Sequence, residues 1–397
     1  MLGSRTADIA YPLLILSMGG GAVWAGAVAS CGLLVQLAFQ LPSGHLADRS
    51  DPRRLMLGMD VVRLVAVGSI PFAALLDRLT LLHLLVVCSI EGAASAVFGS
   101  AAMVFIRVAV SPKQFSRAMS QSQTTHGITM LLGPMAGGAL FAVDRFLPAI
   151  ADTASYVLSG VLLLAISART YRFVDADPER PGSEQTDPRV TAGLRWLWRS
   201  KDVLRIVLFC GVLNMVGVAF GLAAVVSMGE RGTTSNVIGI VAACGGSGLI
   251  VGSLVTKWVM LLGPVRLYPI AGLLWAGSFA VIAMWPSPWV IAVVLTFLAA
   301  VGPSTGVMLF QILADKSPKS LYGRVNAAQT LLGSSLATAG PLLAGVLLAT
   351  FGGTSLWLTL AGVCLAATAF TISPLFSRPP VDEAPLDPTV ALAERNS

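Results

Sequence analysis

The chain has 397 residues, of which 55% are hydrophobic and only 12% are charged. Its mean hydropathy of +0.79 lies far above the range of water-soluble globular proteins. This composition excludes a soluble globular protein and indicates a helical protein that crosses a membrane several times.

Apolar stretches of about 20 residues, the length that crosses a hydrocarbon layer of about 30 Å, recur along the chain. Backbone groups inside a bilayer must bond within their own segment, so each stretch is predicted to be a helix. We count twelve of them, at 2–20, 23–43, 55–76, 80–106, 117–141, 146–168, 203–227, 234–259, 263–285, 288–314, 324–350 and 353–376.

The first stretch is short of strongly apolar residues. Only about ten of them, from Ile9 to Met18, precede three consecutive glycines. We therefore expect that the first helix is incomplete or that the natural chain begins upstream of Met1. A basic leader and a small-residue cleavage site, the marks of a cleavable signal peptide, are not found.

A polar interruption from Arg169 to Lys201 divides the stretches six and six. It contains "DADPERPGSEQTDPR", whose composition is typical of disorder, and then "AGLRWLWRSKDVLR", which predicts a short helix in the membrane interface. We predict an N-terminal half at 1–168, a cytoplasmic linker at 169–202, a C-terminal half at 203–377 and a disordered cytoplasmic tail at 378–397.

Lysine and arginine are distributed unevenly between alternate connecting segments. If both termini are cytoplasmic, 21 of these cations lie in inner segments and three, Arg78, Arg145 and Arg231, lie in outer loops. Cytoplasmic loops carry such an excess, so both termini are predicted to be cytoplasmic. The net charge of +6 reflects this orientation, and no nucleic-acid partner is expected.

The two halves repeat each other. "SPKQFSRAMSQSQ" at 111–123 parallels "SPKSLYGRVNAAQT" at 317–330, and Gly133-Pro134 and Gly138 match Gly340-Pro341 and Gly345. Two such halves predict a parallel repeat about an axis normal to the membrane, with a central cavity between them.

These features resemble the major facilitator superfamily, in particular its bacterial drug and macrolide efflux-like branch. The turn after the second stretch carries the family's Gly-x-Leu-Ala-Asp-Arg signature and a basic cluster, here Gly44, Asp48, Arg49, Arg53 and Arg54. The fifth stretch carries Gly133, Pro134, Gly137 and Gly138, which resemble the antiporter motif of exporters. The chain departs from the family pattern at Pro52, where arginine is usual, and at Thr129, where glycine is expected. The arginine that other drug-exporter branches carry in the fourth helix is absent, and Cys88 lies near its expected place.

The resemblance implies an all-α fold of twelve transmembrane helices in two pseudo-symmetric halves. It also implies export of a small molecule by proton antiport through alternating access. In the family, the signature turn joins the cytoplasmic ends of the halves in the outward-facing state, so we expect Asp48 to contact the chain near 323–325. Fixing the orientation is the alternative role of this turn.

Three carboxyl groups are candidates for proton coupling: Glu91, Asp8 and Asp152. Glu91 lies near the middle of the fourth stretch, where a carboxylate is costly unless it is paired, protonated or wetted. A structural hydrogen bond is the alternative for Glu91, and helix packing for Asp152. Asp60 is expected to pair with Arg63 one turn later, and His126 is expected to be packed and hydrogen bonded.

The predicted cavity helices carry few polar residues. Asn214, Met215, Met308 and Gln311 are the candidate substrate contacts, and they favour a lipophilic or amphipathic compound. No metal or cofactor is expected, because the five cysteines all lie in apolar stretches and only three histidines occur. Motifs of enzymes and ATP-driven pumps are not found.

The expected partners are a small-molecule substrate, protons and the bilayer of the bacterial cell membrane, with the protein as a monomer. Export of a siderophore or metabolite, uptake of a nutrient by symport, and lipid flipping are the alternatives.

Overall fold

The computed structural model describes residues 2–110, 112–165, 190–318 and 321–375, and every regular element within these ranges is a helix. The α-helices are α1 Leu2–Ser17, α2 Gly21–Arg49, α3 Pro52–Leu75, α4 Leu81–Ala109, α5 Pro112–Val143, α6 Leu147–Ala165, α7 Val190–Arg199, α8 Lys201–Glu230, α9 Ser235–Val259, α10 Gly263–Met284, α11 Pro288–Lys316 and α12 Tyr322–Leu375. A short 3-10 turn, Met260–Leu262, joins α9 to α10.

Nine stretches of the described chain are long and apolar enough to cross a membrane. Two of them, Ser235–Met284 and Tyr322–Thr371, each hold two helices: α9 with α10, and the two parts of α12 that meet at Gly352. Together with α1, these helices confirm the prediction of twelve. The break in α12 falls at Gly352, whose φ of 77° is in the left-handed region that glycine tolerates.

The sequence around the α2–α3 turn explains why this connection is short. Asp51 ends the α2–α3 turn, and its side chain accepts a hydrogen bond of 2.9 Å from the Arg53 backbone N–H. Pro52 occupies the first position of α3, where its missing N–H costs nothing. The charged turn is therefore only two residues long.

The helices alternate in direction, which gives the bundle two ends. One end carries the α2–α3, α4–α5 and α11–α12 turns, and we call it the basic end because most of the described Lys and Arg residues lie there. The end with the α1–α2, α3–α4 and α8–α9 turns is called the opposite end.

The predicted repeat is visible in the way glycines seat the helices. Gly133 of α5 lies against Arg5 of α1, as Gly340 of α12 lies against the Met215 carbonyl of α8. Gly138 of α5 lies against Ser235 and Gly239 of α9, and Gly345 of α12 lies against Ala22 and Gly26 of α2. The second pair of contacts joins the two halves near the opposite end.

Helix α7 packs on the start of α12. Gly193 lies against the Arg324 carbonyl, and Leu197 is fully buried, whereas Trp198 is exposed. The helix predicted in this part of the linker is thus present, and its position in the membrane interface stays a prediction. The disorder expected at 175–189 and at 378–397 lies outside the described residues.

Candidate transport cavity and its carboxyl cluster

A cavity of about 1400 Å³ lies between the two halves. Toward the opposite end its wall reaches Ile15 and Met228, and toward the basic end it reaches Ile106 and Phe310. The described glycine contacts between the halves extend from the opposite end to about the middle of the helices, where Gly246 of α9 lies against Leu131 of α5. The halves are therefore joined over that part and separated by the cavity toward the basic end.

The two walls of the cavity differ in chemistry. Among the described residues, every Asp, Glu, Arg and His side chain that lines it belongs to the first half, namely Arg5, Asp8, Asp60, Arg63, Glu91 and His126. The second half contributes apolar and small residues, with Asn214, Thr305 and Gln329 as its uncharged polar groups. A charged wall therefore faces an apolar wall across the cavity.

Glu91 of α4 faces the cavity and receives two phenol hydroxyls. Tyr11 of α1 donates a hydrogen bond to its Oε2, and the hydroxyl of Tyr156 of α6 lies within hydrogen-bond distance of its Oε1, both at 3.2 Å. The following residue, Gly92, lies against the Gly32 carbonyl of α2, so that α4 approaches α2 closely. Glu91 is therefore bonded from α1 and α6, and its own helix packs closely on α2.

Asp152 of α6 lies behind Glu91 and Tyr156, away from the cavity. Its side chain is fully buried and does not line the cavity. The Tyr156 hydroxyl lies 3.0 Å from Oδ2, and Ser155 donates a hydrogen bond of 3.3 Å to Oδ1. Gly3 of α1 packs directly against Asp152, where a larger residue would collide with the carboxyl group.

Two other carboxyl groups are paired with arginines. Asp8 forms an ion pair with Arg5 at 3.0 Å. Asp60 accepts a hydrogen bond of 2.7 Å from Ser159 and faces Arg63 at 4.0 Å, as predicted for this pair. Arg63 also donates to the Ala94 carbonyl at 3.0 Å. Each arginine of the charged wall thus has a carboxyl partner one helical turn away.

The candidate substrate contacts do not all line the cavity. Asn214 does, but Met215, Met308 and Gln311 do not. Met308 is buried in the core of the second half, Met215 packs partly buried against that core, and Gln311 is exposed outside the cavity. The prediction for these three residues is not supported, because a helix that is apolar on all sides gives no signal of its rotation.

His126 also differs from the expectation. Its side chain is exposed and lines the cavity, and it makes no hydrogen bond with another described side chain. The expectation of a packed histidine is wrong, because the part of α5 near the basic end faces the space between the halves.

The signature turn is bound within the first half. Arg53 donates to the Leu163 and Leu164 carbonyls at the end of α6, at 2.9 and 3.0 Å, and Arg54 lies 3.6 Å from Asp51. Asp48 and Arg49 are exposed, and Gly44 faces open space. Among the described residues Asp48 has no ion-pair partner, and the predicted contact with 323–325 is not formed in this conformation.

The antiporter-like motif forms two contact surfaces on α5. Gly133 and Gly137 lie against Arg5 and the Thr6 carbonyl of α1. Gly138 and the Pro134 carbonyl face α9 at Gly239. The motif therefore joins the two halves and also seats the helix that carries Asp8 and Tyr11.

The sequence analysis did not identify three features of the site: Tyr11, Tyr156 and the contacts that Arg63 makes beyond Asp60. Tyr156 follows Asp152 by four residues and so shares its helix face, which is the one signal that could have identified it. The contact of Tyr11 with Glu91 joins residues 80 positions apart and has no such signal. No group of three metal-ligating side chains occurs within the described ranges.

Comparison with known proteins agrees with this architecture. The sequence profile of the Major Facilitator Superfamily matches residues 1–258. The chain is 26% identical to the multidrug efflux pump Tap of Mycobacterium tuberculosis over 408 aligned positions, which cover 99% of this chain and 95% of that protein. A partial match to Tap of Mycolicibacterium fortuitum has 25% identity and covers 49% of each chain.

Solved structures show the same fold. A bacterial homologue of the iron transporter ferroportin, in an inward-facing state, has a TM-score of 0.69 at 17% identity, with 94% of this chain and 95% of that chain covered. The nucleoside transporter NupG has a TM-score of 0.72 at 11% identity, with coverage of 95% and 98%. This chain belongs to the Major Facilitator Superfamily and is a multi-pass bacterial membrane transporter of small molecules.

Proposed function

We propose that the protein exports lipophilic or amphipathic small molecules, such as drugs, antibiotics or secondary metabolites, in exchange for protons. The observation that carries the proposal is Glu91, a carboxyl group that lines a cavity of about 1400 Å³ and has no ion-pair partner among the described residues. The similarity to a multidrug efflux pump over nearly the whole chain supports the direction of transport.

The contrast between the cavity walls supports the substrate class. The apolar wall, with Leu213, Phe220 and Trp275, suits the body of a lipophilic compound, whereas the charged wall suits a polar or ionised group. Described Arg side chains on the charged wall are paired with carboxylates, so a phosphate or dicarboxylate would find no free cation there.

The orientation is part of the proposal. With both termini and the basic end in the cytoplasm, the cavity is open to the cytoplasm in this conformation, and substrate enters from there. A switch that closes the basic end and opens the opposite end would release substrate outside. Glu91 would then receive a proton from outside and release it inside after the return, which completes the exchange.

Everted membrane vesicles with an acidic interior test this proposal. A panel of antibiotics and lipophilic dyes is added in turn, and a pH-sensitive fluorophore reports the loss of the gradient. Glu91→Gln is compared with wild type at matched membrane expression. Glu230→Gln is the control, because Glu230 is exposed at the opposite end and does not line the cavity.

We expect at least one compound to dissipate the gradient in wild type and in Glu230→Gln, but not in Glu91→Gln. An equal response in all three proteins would support export and show that proton coupling does not require Glu91. If no compound moves protons, and labelled lipid or a nutrient is transported instead, the export proposal is wrong and flipping or uptake replaces it.

A further inference from the structure

The Tyr156 hydroxyl occupies an unusual position between two carboxyl groups. It lies 3.2 Å from Oε1 of Glu91 and 3.0 Å from Oδ2 of Asp152. Glu91 lines the cavity, whereas Asp152 is fully buried behind it. The hydroxyl is therefore the only described group that bonds both carboxyls.

We call Glu91, Tyr156 and Asp152 the trio. The number of hydrogens available for bonds between them limits the charge states of the two carboxyl groups. A phenol hydroxyl has one hydrogen to donate and two lone pairs that accept. If both carboxyls were ionised, Tyr156 could donate to one, and the other would face its lone pairs at hydrogen-bond distance. In a buried site, a carboxylate that lacks this hydrogen bond is costly in free energy. One proton on either carboxyl removes the conflict, because the protonated carboxyl then donates to the Tyr156 oxygen.

Other groups around the trio leave this conclusion intact. From α1, Ser4 lies 3.2 Å from the Tyr156 hydroxyl and can donate to its second lone pair, Tyr11 donates to Glu91, and Arg5 is paired with Asp8. From α4, Cys88 lies one turn before Glu91 and lines the cavity.

Arg63 is the charged group on α3 that faces the trio. Its guanidinium lies 5.6 Å from the centre of the Tyr156 ring, and its partner on the same helix is Asp60. The Arg63 side chain is more than nine-tenths buried, and its Nε has no hydrogen-bond partner. Because Asp60 already offsets the charge of Arg63, this cation cannot compensate two further negative charges, which disfavours ionisation of both carboxyls of the trio.

We propose that Glu91 and Asp152 share one proton through the Tyr156 hydroxyl. In one arrangement Glu91 is protonated and donates to Tyr156, which donates to ionised Asp152. In the other, Asp152 is protonated and donates to Tyr156, which donates to ionised Glu91. The exchange breaks the carboxyl O–H bond and the phenol O–H bond and forms one of each, so that atoms and charge balance.

This inference rests on the proposed proton exchange and refines it. Asp152 holds the proton while Glu91 is ionised toward the cavity, so a substrate with a cationic group can meet a carboxylate before the proton leaves the protein. Tyr156 is then a positioning residue that connects the two carboxyls. Tyr11, at the same distance from Glu91, bonds only Glu91.

Infrared spectroscopy of the purified protein in lipid tests the shared proton without any substrate. The carbonyl stretch of a protonated carboxyl is followed at neutral pH in wild type, Glu91→Gln and Asp152→Asn. We expect both single variants to lose the wild-type band, since either remaining carboxyl can then take the Tyr156 hydrogen alone. Asp152→Ser is the second variant if Asp152→Asn does not fold.

A band that persists in one variant would assign the proton to a single residue and overturn the inference, as would the absence of a band in wild type. The vesicle assay adds a matched pair: Tyr156→Phe should lower proton-coupled transport at least about tenfold, whereas Tyr268→Phe, which removes a buried phenol hydroxyl outside the cavity lining, should stay within about threefold of wild type. Equal effects of both would overturn the role of Tyr156. Since the infrared result needs no substrate, it can stand or fail independently of export.

Discussion

Gly138 of α5 lies so close to α9 that a Cβ on it would be 2.8 Å from the Gly239 Cα. No flexible side chain can move away at this contact, because the neighbouring atoms belong to the backbone. The contact joins the halves near the opposite end. A substitution at Gly138 therefore tests how that end closes.

Gly138→Ala is expected to weaken the closed opposite end by about 1–3 kcal/mol, the usual cost of overpacking. The conformation seen here should become less populated, and transport should fall. The measurement is the distance between spin labels on the ends of α5 and α9, together with vesicle transport. Gly127→Ala on the same helix is the control, since a Cβ there meets nothing within 4 Å. Equal distances in both variants would contradict the prediction.

The repeat predicts a second site with the same behaviour. Gly345 of α12 lies against Ala22 and Gly26 of α2, in the position that Gly138 occupies in the first half. Gly345→Ala should therefore separate α12 from α2 and lower transport to a similar extent. Gly362→Ala in the second part of α12 is the control, because it has open space around it. Wild-type transport by Gly345→Ala would show that this contact can relax.

Much of the fold could be predicted from hydropathy alone. The twelve stretches correspond to the observed membrane helices within a few residues at most ends, and the break predicted at 350–353 falls at Gly352. α2 and α5 extend further toward the basic end than predicted, since the last turns of α2 and the first turns of α5 contain polar residues that a hydropathy count leaves out.

The site was less predictable. Glu91, Asp8 and Asp152 were recognised because a carboxyl group in an apolar stretch is conspicuous. Their connection through Tyr156 and the placement of Met308 in the core depend on how each helix is rotated, and the helices are apolar on most sides. Those features therefore needed the three-dimensional arrangement.

The buried pair of Asp60 and Arg63 is expected to stabilise the first half. Removing one partner leaves an uncompensated charge, so Arg63→Met or Asp60→Asn alone should cost about 3–5 kcal/mol of stability. The double variant should cost less than the sum of the two. Thermal unfolding of the purified protein, arranged as a double-mutant cycle, gives the coupling. Additive single effects would show that the two side chains do not interact, in spite of their 4.0 Å separation.

The predicted orientation can be tested by cysteine labelling in intact cells. The five native cysteines are first replaced by alanine, and then Arg78→Cys or Leu261→Cys is introduced at an exposed turn. Arg78 lies at the opposite end and should react with a membrane-impermeant maleimide. Leu261 lies at the basic end, with 83% of its surface exposed, and should react only after permeabilisation. The reverse pattern would place both termini outside.

Asp48 provides a prediction about the conformation that is not seen here. Its side chain is exposed and unpaired among the described residues, so Asp48→Asn should leave the thermal stability of this conformation unchanged. If Asp48 contacts the start of α12 when the basic end closes, the variant loses a charge-assisted hydrogen bond of about 1.5–3 kcal/mol in that state alone. The closed population should then fall at least about tenfold.

Spin labels at Leu46→Cys and Tyr322→Cys measure this closure, because these exposed residues flank the expected contact from α2 and α12. The short distance should appear when the basic end closes and be depleted by Asp48→Asn, with a parallel loss of transport. Asp77→Asn, at an exposed turn of the opposite end, is the control. If Asp48→Asn and Asp77→Asn give the same distances and the same transport, the turn only fixes the orientation of the chain.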